Sequence, residues 1–277
     1  MDRSDHRKAR FVEHLVARIT ACQDDIARQW THPTETSTRH FVLDDLLPQA
    51  DVEAIYAAFP RNGDGFFDRD TFRERKKTSA NLSAYDEVLS DITYAFQSEQ
   101  VVDLIAGLLG LKAIEPDPKL YAGGLSMMFP GDYLNPHIDN SHDAGRERYR
   151  RLNLLYYVSP DWVEANGCNF ELWSDDRRTP KTIVSRQNRL VVMETNKTSW
   201  HSVSPNLSDH TRCCVSNYYF SKISPDETDY FHVTSFLGRP EQPLRRVVGV
   251  ADNALRNTVS KVLKRGRGHD QINKTAE

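Results

Sequence analysis

Residues 120–140 read LYAGGLSMMFPGDYLNPHIDN. The first ten of these residues are mostly apolar or small, which predicts a β-strand over residues 120–129. Pro130 and Gly131 then indicate a turn, and His137 and Asp139 follow, two positions apart. On an extended strand such residues leave the same face, so an imidazole and a carboxylate could contact one metal ion. The pair alone is a weak signal, because short His-x-Asp pairs also arise by chance.

Strand-like segments continue after this stretch. They are short, rich in β-branched or aromatic residues, and separated by Gly, Pro, Asn and Asp; they cover residues 151–158, 169–173, 189–194 and 211–221. No helical pattern lies between them. Consecutive strands without intervening helices predict an antiparallel sandwich or barrel.

The residues before the strands have a different pattern. Apolar residues recur at helical spacing at Phe11, Leu15, Ile19, Cys22, Ile26 and Trp30, and His32-Pro33 ends the run. A short strand at 41–43 and helices at 51–59, 85–96 and 99–109 are also predicted. Residues 61–83 are polar and without period, which predicts an exposed loop, with a mobile or substrate-contacting lid as the alternative.

Composition limits the class of protein. The chain has 277 residues, 39% of them hydrophobic, and a formal net charge of −3, so we expect neither nucleic acid nor membrane as a partner. Its four cysteines form no C-x-x-C motif, and its first residues lead into no signal-peptide core. We therefore predict a cytoplasmic protein. The oligomeric state stays open.

A third metal ligand is suggested by His201, in the sequence WHSV after an apolar strand. Two histidines and one carboxylate form the facial set of non-haem iron(II) oxygenases, which leaves three coordination positions open. A structural zinc site would use four ligands, usually including thiolates. Arg212 follows eleven residues later and could bind the far carboxylate of a chelating dicarboxylate. Its alternative is a surface arginine at the start of a strand.

Five segments in order resemble the prolyl 4-hydroxylase-like branch of the 2-oxoglutarate/Fe(II)-dependent dioxygenases. They are GGLSMMFPGDYLNPHIDN, RRLNLLYYVSPDW, NGCNFELW, QNRLVVMETNKTSWHSVSP and TRCCVSNYYFS. The resemblance runs from about residue 41 to 221 and is strongest over 123–220. Phe129 and Cys214 depart from the pattern, because relatives often carry hydroxyl-bearing residues there.

The resemblance implies an α+β fold with a double-stranded β-helix (jelly-roll) core and N-terminal helices packed on one sheet. It implies an N-terminal helical extension over residues 1–40. A dioxygenase domain would cover 41–235, with its catalytic core at 120–222. Outside the resemblance, the pattern of basic and apolar residues predicts a C-terminal basic helix and tail over 236–277, with the helix itself at 247–268.

The resemblance also implies the site. The catalytic, Fe(II)-binding residues would be His137, Asp139 and His201, and Arg212 would bind 2-oxoglutarate. Tyr157 would place its hydroxyl on the outer carboxylate of 2-oxoglutarate, and Asn153 would line the co-substrate pocket; Tyr157 could equally be a core aromatic. Dioxygen is the second co-substrate, and ascorbate is a candidate accessory reductant. Among other polar residues, His142 and His210 are expected to be solvated, and Arg150 and Arg151 to lie at a strand end.

The implied activity is a hydroxylase that acts on an unactivated C–H bond and releases succinate and carbon dioxide. Its substrate would be a small molecule or a peptidyl or free amino acid such as proline; the sequence does not choose among these, and desaturation or cyclisation stays open. Two other functions are considered. One is a cupin-like metalloenzyme that does not use 2-oxoglutarate, and the other is a non-catalytic metal-binding sensor module.

Overall fold

The structure is a computed structural model that describes residues 3–226 and 228–241. Within these ranges the helices are α1 (Arg3–Ala21), α2 (Gln23–Thr31), α3 (Gln49–Ala57), α4 (Glu87–Ala95) and α5 (Glu99–Leu108). The first strands are β1 (His40–Leu43), β2 (Phe67–Asp70), β3 (Glu74–Ser79), β4 (Ile114–Pro116), β5 (Gly124–Met128) and β6 (Tyr133–Ile138). The later strands are β7 (Tyr149–Tyr157), β8 (Phe170–Trp173), β9 (Pro180–Ile183), β10 (Arg189–Glu194), β11 (His201–Val203), β12 (Arg212–Ser221) and β13 (Ser235–Phe236). The basic helix predicted at 247–268 lies outside the described residues.

The strands form one curled antiparallel sheet in the order β1-β10-β7-β12-β5-β3-β6-β11-β8-β9. Three more strands pair at its sides, β2 with β3, β4 with β12 and β13 with β6. Because the sheet curls, side chains of β6, β8 and β11 pack against those of β5, β7, β10 and β12 in one interior cluster. The predicted jelly-roll core is confirmed.

The two faces of the part of the sheet that contains β7 and β12 pack against different parts of the protein. On β7, Leu152, Leu154 and Tyr156 belong to the core that the helices complete, whereas Tyr157 belongs to the interior cluster. The same alternation separates Val215 from its neighbours on β12. Period-two alternation therefore places the helices on one face and directs the opposite face into the barrel. This arrangement confirms the prediction of helices packed on one sheet.

The N-terminal helical pattern forms two helices rather than one. Phe11, Leu15 and Ile19 of α1 are buried, and so are Ile26 and Trp30 of α2. The helices are separated at a half-buried cysteine, where α2 begins with two aspartates in its first turn. Negative charge in a first turn stabilises a helix N-terminus, which favours a new helix there. The chain divisions at 40/41 and 235/236 stay predictions.

The polar segment 61–83 is not a loop, and that prediction was wrong. Residues of this segment form the hairpin β2–β3, and β3 pairs with both β5 and β6. Backbone hydrogen bonds place β3 within the sheet although its side chains are charged. Ion pairs satisfy those side chains, as between Lys77 Nζ and Asp68 Oδ2 at 2.9 Å and between Arg69 Nη1 and Glu74 Oε1 at 3.4 Å.

The last described segment returns along β6 and is anchored by a buried ion pair. The Arg239 guanidinium donates to the two carboxylate oxygens of Glu171 at 3.2 and 2.6 Å and to the Val203 carbonyl at 3.1 Å. The Ser202 hydroxyl donates to Glu171 at 2.5 Å, and the Trp173 indole donates to Ser202 at 2.8 Å. The network holds the chain beyond β13 against the strands that carry the candidate site.

Arg239→Met is expected to lower the free energy of unfolding by about 3–5 kcal/mol, because Glu171 would stay buried without this counter-charge. Urea denaturation measures the loss. Replacing both partners, Glu171→Leu with Arg239→Met, should restore most of it, since apolar pairs often replace buried ion pairs at little cost. Arg178→Met is the control, because that side chain is 80% exposed. If Arg239→Met were as stable as Arg178→Met, the prediction would be contradicted.

Within residues 3–226 and 228–241, the helices lack the length and apolar character needed to cross a membrane.

Candidate active site

His137, Asp139 and His201 converge inside the barrel. β6 and β11 pair with His137 directly opposite His201, and Asp139 follows immediately after the end of β6. Asp139 Oδ1 lies 3.4 Å from His137 Nε2, and Asp139 Oδ2 lies 3.5 Å from His201 Nε2. One potential ligand atom from each residue lies within 4.8 Å of the others. The structure thus brings together the three residues that the sequence predicts as ligands.

Backbone hydrogen bonds orient both imidazoles. His137 Nδ1 lies 2.9 Å from the Asn135 carbonyl oxygen, and His201 Nδ1 lies 2.9 Å from the Ser199 carbonyl oxygen. Because a carbonyl oxygen only accepts, each Nδ1 carries the hydrogen and each neutral ring presents a lone pair at Nε2. Burial, and then the neighbouring His201, lower the pKa of His137, which favours its neutral form. Such outer hydrogen bonds typically fix the orientation of metal-binding histidines.

Asp139 is held as a carboxylate by its neighbours. The Asn153 amide donates to Asp139 Oδ2 at 2.6 Å, and Arg150 Nη1 lies 3.2 Å from the same oxygen. Burial by itself would raise the pKa of Asp139, but the Arg150 guanidinium and the two imidazoles outweigh it and hold that pKa well below its ordinary value. The site therefore has an anionic donor beside two neutral ones, which suits a divalent metal.

Arg212 lies inside the barrel and is 4% exposed, so the surface-arginine alternative is wrong. Among the residues that the structure describes, no acceptor lies within hydrogen-bond distance of its Nε and Nη1. A buried charged donor without an acceptor is costly unless a ligand supplies one. An anionic group such as a carboxylate would give this buried guanidinium the acceptors that it lacks. Arg212 therefore has the geometry of an anion-binding residue.

Tyr157 is fully buried beside this arginine, with Arg212 Cζ 5.1 Å from the centre of its ring. Burial raises the pKa of Tyr157 well above its ordinary value, so the hydroxyl stays protonated. The residue belongs to the apolar interior cluster and also lines the cavity described below. Tyr157 therefore packs in the apolar interior and at the same time lines the cavity.

One cavity of about 640 Å³, including solvent at its mouth, joins the three ligands to Arg212. Tyr157 and Asn153 line it, so both stand where a co-substrate could reach them, and the Asn153 amide also donates to Asp139; their contact with a co-substrate stays a prediction. Lys76 and Thr78 of β3 and Tyr218 of β12 line it too, although the sequence analysis singled out none of them. The two β3 residues are two positions apart and share a face, but their segment lacks the apolar alternation that identifies a strand.

One other sequence expectation is corrected and one is extended. Arg150 lies at a strand end as expected, being the second residue of β7, but it is also 2% exposed and contacts Asp139. His142 is buried rather than solvated; its ring lies 4.3 Å from that of Tyr149, and its Nδ1 lies 2.8 Å from the Ser141 hydroxyl. His210 is exposed, as predicted. The buried histidine packs among aromatic rings, an environment that a polar sequence neighbourhood does not reveal.

Comparisons with known proteins agree with this geometry. Residues 123–220 match the model of the 2OG-Fe(II) oxygenase superfamily. Over 76 residues the chain is 36% identical to the prolyl 3-hydroxylase OGFOD1 of Xenopus laevis; this match covers 25% of the chain but only 15% of that relative.

Two solved structures share the fold. A prolyl-4-hydroxylase of Pseudomonas putida has a TM-score of 0.53 at 17% identity, with 74% of this chain and 100% of that chain covered. A prolyl 4-hydroxylase of Phytophthora capsici has a TM-score of 0.50 at 16% identity, covering 91% of this chain and 78% of that chain. The fold and the family resemblance predicted from the sequence are confirmed.

Proposed function

We propose that the chain is an Fe(II)- and 2-oxoglutarate-dependent hydroxylase, and the match of residues 123–220 to the 2OG-Fe(II) oxygenase superfamily model supports this. One observation carries the proposal. A single cavity contains a three-donor metal set and, apart from it, a buried arginine whose Nε and Nη1 lack acceptors among the described residues. The donor set alone would suit several metalloenzymes. The unpaired arginine adds the requirement for an anionic co-substrate.

The residues present fit both groups. His137, Asp139 and His201 would hold iron(II) through two neutral nitrogen donors and one carboxylate, the set that leaves coordination positions open for reactants. Arg212 would bind the outer carboxylate of 2-oxoglutarate, whose oxygens would accept from its unpaired donors. A cupin-like enzyme without 2-oxoglutarate would leave this arginine buried at a cost and without a role. Iron(II) with 2-oxoglutarate and dioxygen supplies the oxidising power for C–H hydroxylation, with succinate and carbon dioxide as products.

The chain's own contribution is orientation and exclusion of water. The Nδ1 hydrogen bonds fix the two imidazoles, and Asn153 and Arg150 fix the carboxylate. Apolar side chains surround the polar groups; those lining the cavity include Leu134, Leu155, Phe170 and Val203. Apolar walls limit the water beside the polar groups, which strengthens each electrostatic contact there. Side chains held in one geometry would aim one substrate C–H bond at the reacting centre.

For the substrate, we propose a small molecule or a peptidyl or free amino acid such as proline. The support is that the relatives named above are prolyl hydroxylases and that polar and apolar side chains line one cavity beside the metal-binding residues. Ascorbate as an accessory reductant and a cytoplasmic location remain proposals from the sequence.

The test is succinate release from 2-oxoglutarate with iron(II) under air, measured across a panel of proline-containing peptides, free amino acids and small metabolites. We expect release that depends on at least one panel member, together with a product that gains one oxygen atom. A product that loses two hydrogen atoms would indicate desaturation instead. Absence of any 2-oxoglutarate turnover by folded, iron-loaded protein would contradict the proposal.

A further inference from the structure

Strand β7 contains a β-bulge next to the candidate site. Its register with β12 pairs Leu152 with Tyr219, but the following pair is Arg150 with Phe220. Arg151 is therefore the extra residue on β7, opposite no residue of its own on β12. A bulge bends a strand and changes the direction of the side chains beside it, and such bulges often lie next to active sites.

The bulge determines which way Arg150 points. Leu152 faces the helices, and by strict alternation Arg150 would face them too. Because one residue is inserted between them, Arg150 instead turns toward the barrel interior. There its guanidinium lies over the ring of Tyr218, 4.2 Å from the ring centre, and Tyr218 lines the cavity.

Arg150 connects two consecutive side chains of the metal-binding segment. Its Nη1 lies 3.2 Å from Asp139 Oδ2, and its Nη2 donates to Asn140 Oδ1 at 3.0 Å. The side chain is buried, so these contacts lose little to solvent. Each oxygen of Asp139 faces one imidazole, Oδ1 at 3.4 Å from His137 Nε2 and Oδ2 at 3.5 Å from His201 Nε2. Oδ2 also receives Arg150 and the Asn153 amide, the latter at 2.6 Å. The two oxygens of one carboxylate therefore have different environments.

We propose that Arg150 is a positioning residue that engages Asp139 Oδ2 and so reserves Oδ1 for the metal; the inference rests on the proposed function for the existence of that metal site. Arg150 acts through Asp139 and does not itself contact the ion. Its planar guanidinium suits this role, because it holds Asp139 and Asn140 at the same time in one geometry. A lysine at this position would donate from a single nitrogen.

The sign of the effect on metal affinity separates this role from a purely electrostatic one. As an isolated positive charge, Arg150 would repel a metal cation, and its removal would tighten metal binding. As a positioning residue it stabilises the bound state, and loss of such a partner typically weakens binding by roughly 10- to 100-fold. The two roles therefore make opposite predictions for one substitution.

The experiment is an anaerobic titration of the metal-free protein with Co(II), followed by visible absorption. Arg150→Met is expected to raise the Co(II) dissociation constant by roughly tenfold or more. Its absorption spectrum should also differ from that of the wild type, because Asp139 would be free to rotate. Arg151→Met is the matched control: it removes the neighbouring buried arginine, which donates to the Ile223 carbonyl instead, and should keep the wild-type affinity and spectrum.

A second comparison tests whether Arg150 acts through Asp139. In an Asp139→Asn background the carboxylate is gone, so adding Arg150→Met should change the Co(II) affinity far less than it does in the wild type. Arg150→Lys should also weaken Co(II) binding, but less than Arg150→Met does. It replaces Arg150→Met in the experiment if the methionine variant does not fold. Unchanged or tighter binding by these variants, or an equal effect in both backgrounds, would overturn the inference. A wild-type protein that binds no Co(II) would instead overturn the proposed function.

Discussion

Replacing His201 with alanine is expected to reduce succinate release from 2-oxoglutarate to the level seen without protein. The variant keeps only His137 and Asp139 as metal ligands. Two protein ligands hold a divalent ion less firmly than the three of the facial set. The Nδ1 hydrogen bond to the Ser199 carbonyl, which aims the imidazole, is lost with the ring. The measurement is succinate production at saturating iron(II) and 2-oxoglutarate, with metal content determined on the same sample.

His210→Ala is the matched control for this substitution. Its side chain is 73% exposed and lies in the loop that follows β11, so its removal should leave both metal content and turnover unchanged. Thermal unfolding of both variants in the absence of metal checks that the fold is retained. Substantial turnover by a folded His201→Ala protein would show that the metal is held elsewhere.

Arg212→Met is expected to have the second-largest effect, on the co-substrate rather than on the metal. Loss of one partner of a buried, hydrogen-bonded charge pair costs about 2–5 kcal/mol. Since about 1.4 kcal/mol corresponds to a factor of ten, the KM for 2-oxoglutarate should rise roughly 30- to 3000-fold. Co(II) affinity without 2-oxoglutarate should stay close to that of the wild type. The measurement is 2-oxoglutarate saturation of succinate release.

The same substitution has an unusual expected effect on stability. Without 2-oxoglutarate, Nε and Nη1 of Arg212 have no acceptor among the described residues, so the folded protein carries the cost of a buried, partly unsatisfied charge. Methionine of similar length removes that cost, and the Tm of the ligand-free variant should equal or exceed that of the wild type. A large loss of Tm together with an unchanged KM would mean that Arg212 serves the fold and not the co-substrate.

The metal ligands could be predicted from the sequence because their residue types and short spacing are themselves typical of a metal site. The spacing of His137 and Asp139 places both on one strand face, and His201 follows an apolar strand that the same reading identifies. In the structure the two histidines lie directly opposite each other on the paired strands β6 and β11. The helices could also be predicted from the sequence, because their apolar residues repeat at helical spacing.

Other parts depend on tertiary contacts that the sequence does not display. β3 joins the sheet through its backbone, while its charged side chains give no apolar alternation, so Lys76 and Thr78 were missed. The contact of Arg150 with Asp139 was missed because a bulge is defined by the register of two strands and not by either strand alone. The Glu171–Arg239 pair joins residues far apart in the chain, and each is unremarkable by itself.

The most direct test of the metal site is an anomalous-scattering experiment on crystals grown with Mn(II) and 2-oxoglutarate in the absence of oxygen. We expect one manganese peak in ligand contact with His137 Nε2, His201 Nε2 and Asp139 Oδ1, and the outer carboxylate of 2-oxoglutarate hydrogen-bonded to Arg212. A peak bound by other residues, or an intact His-Asp-His set with no metal at saturating Mn(II), would contradict it.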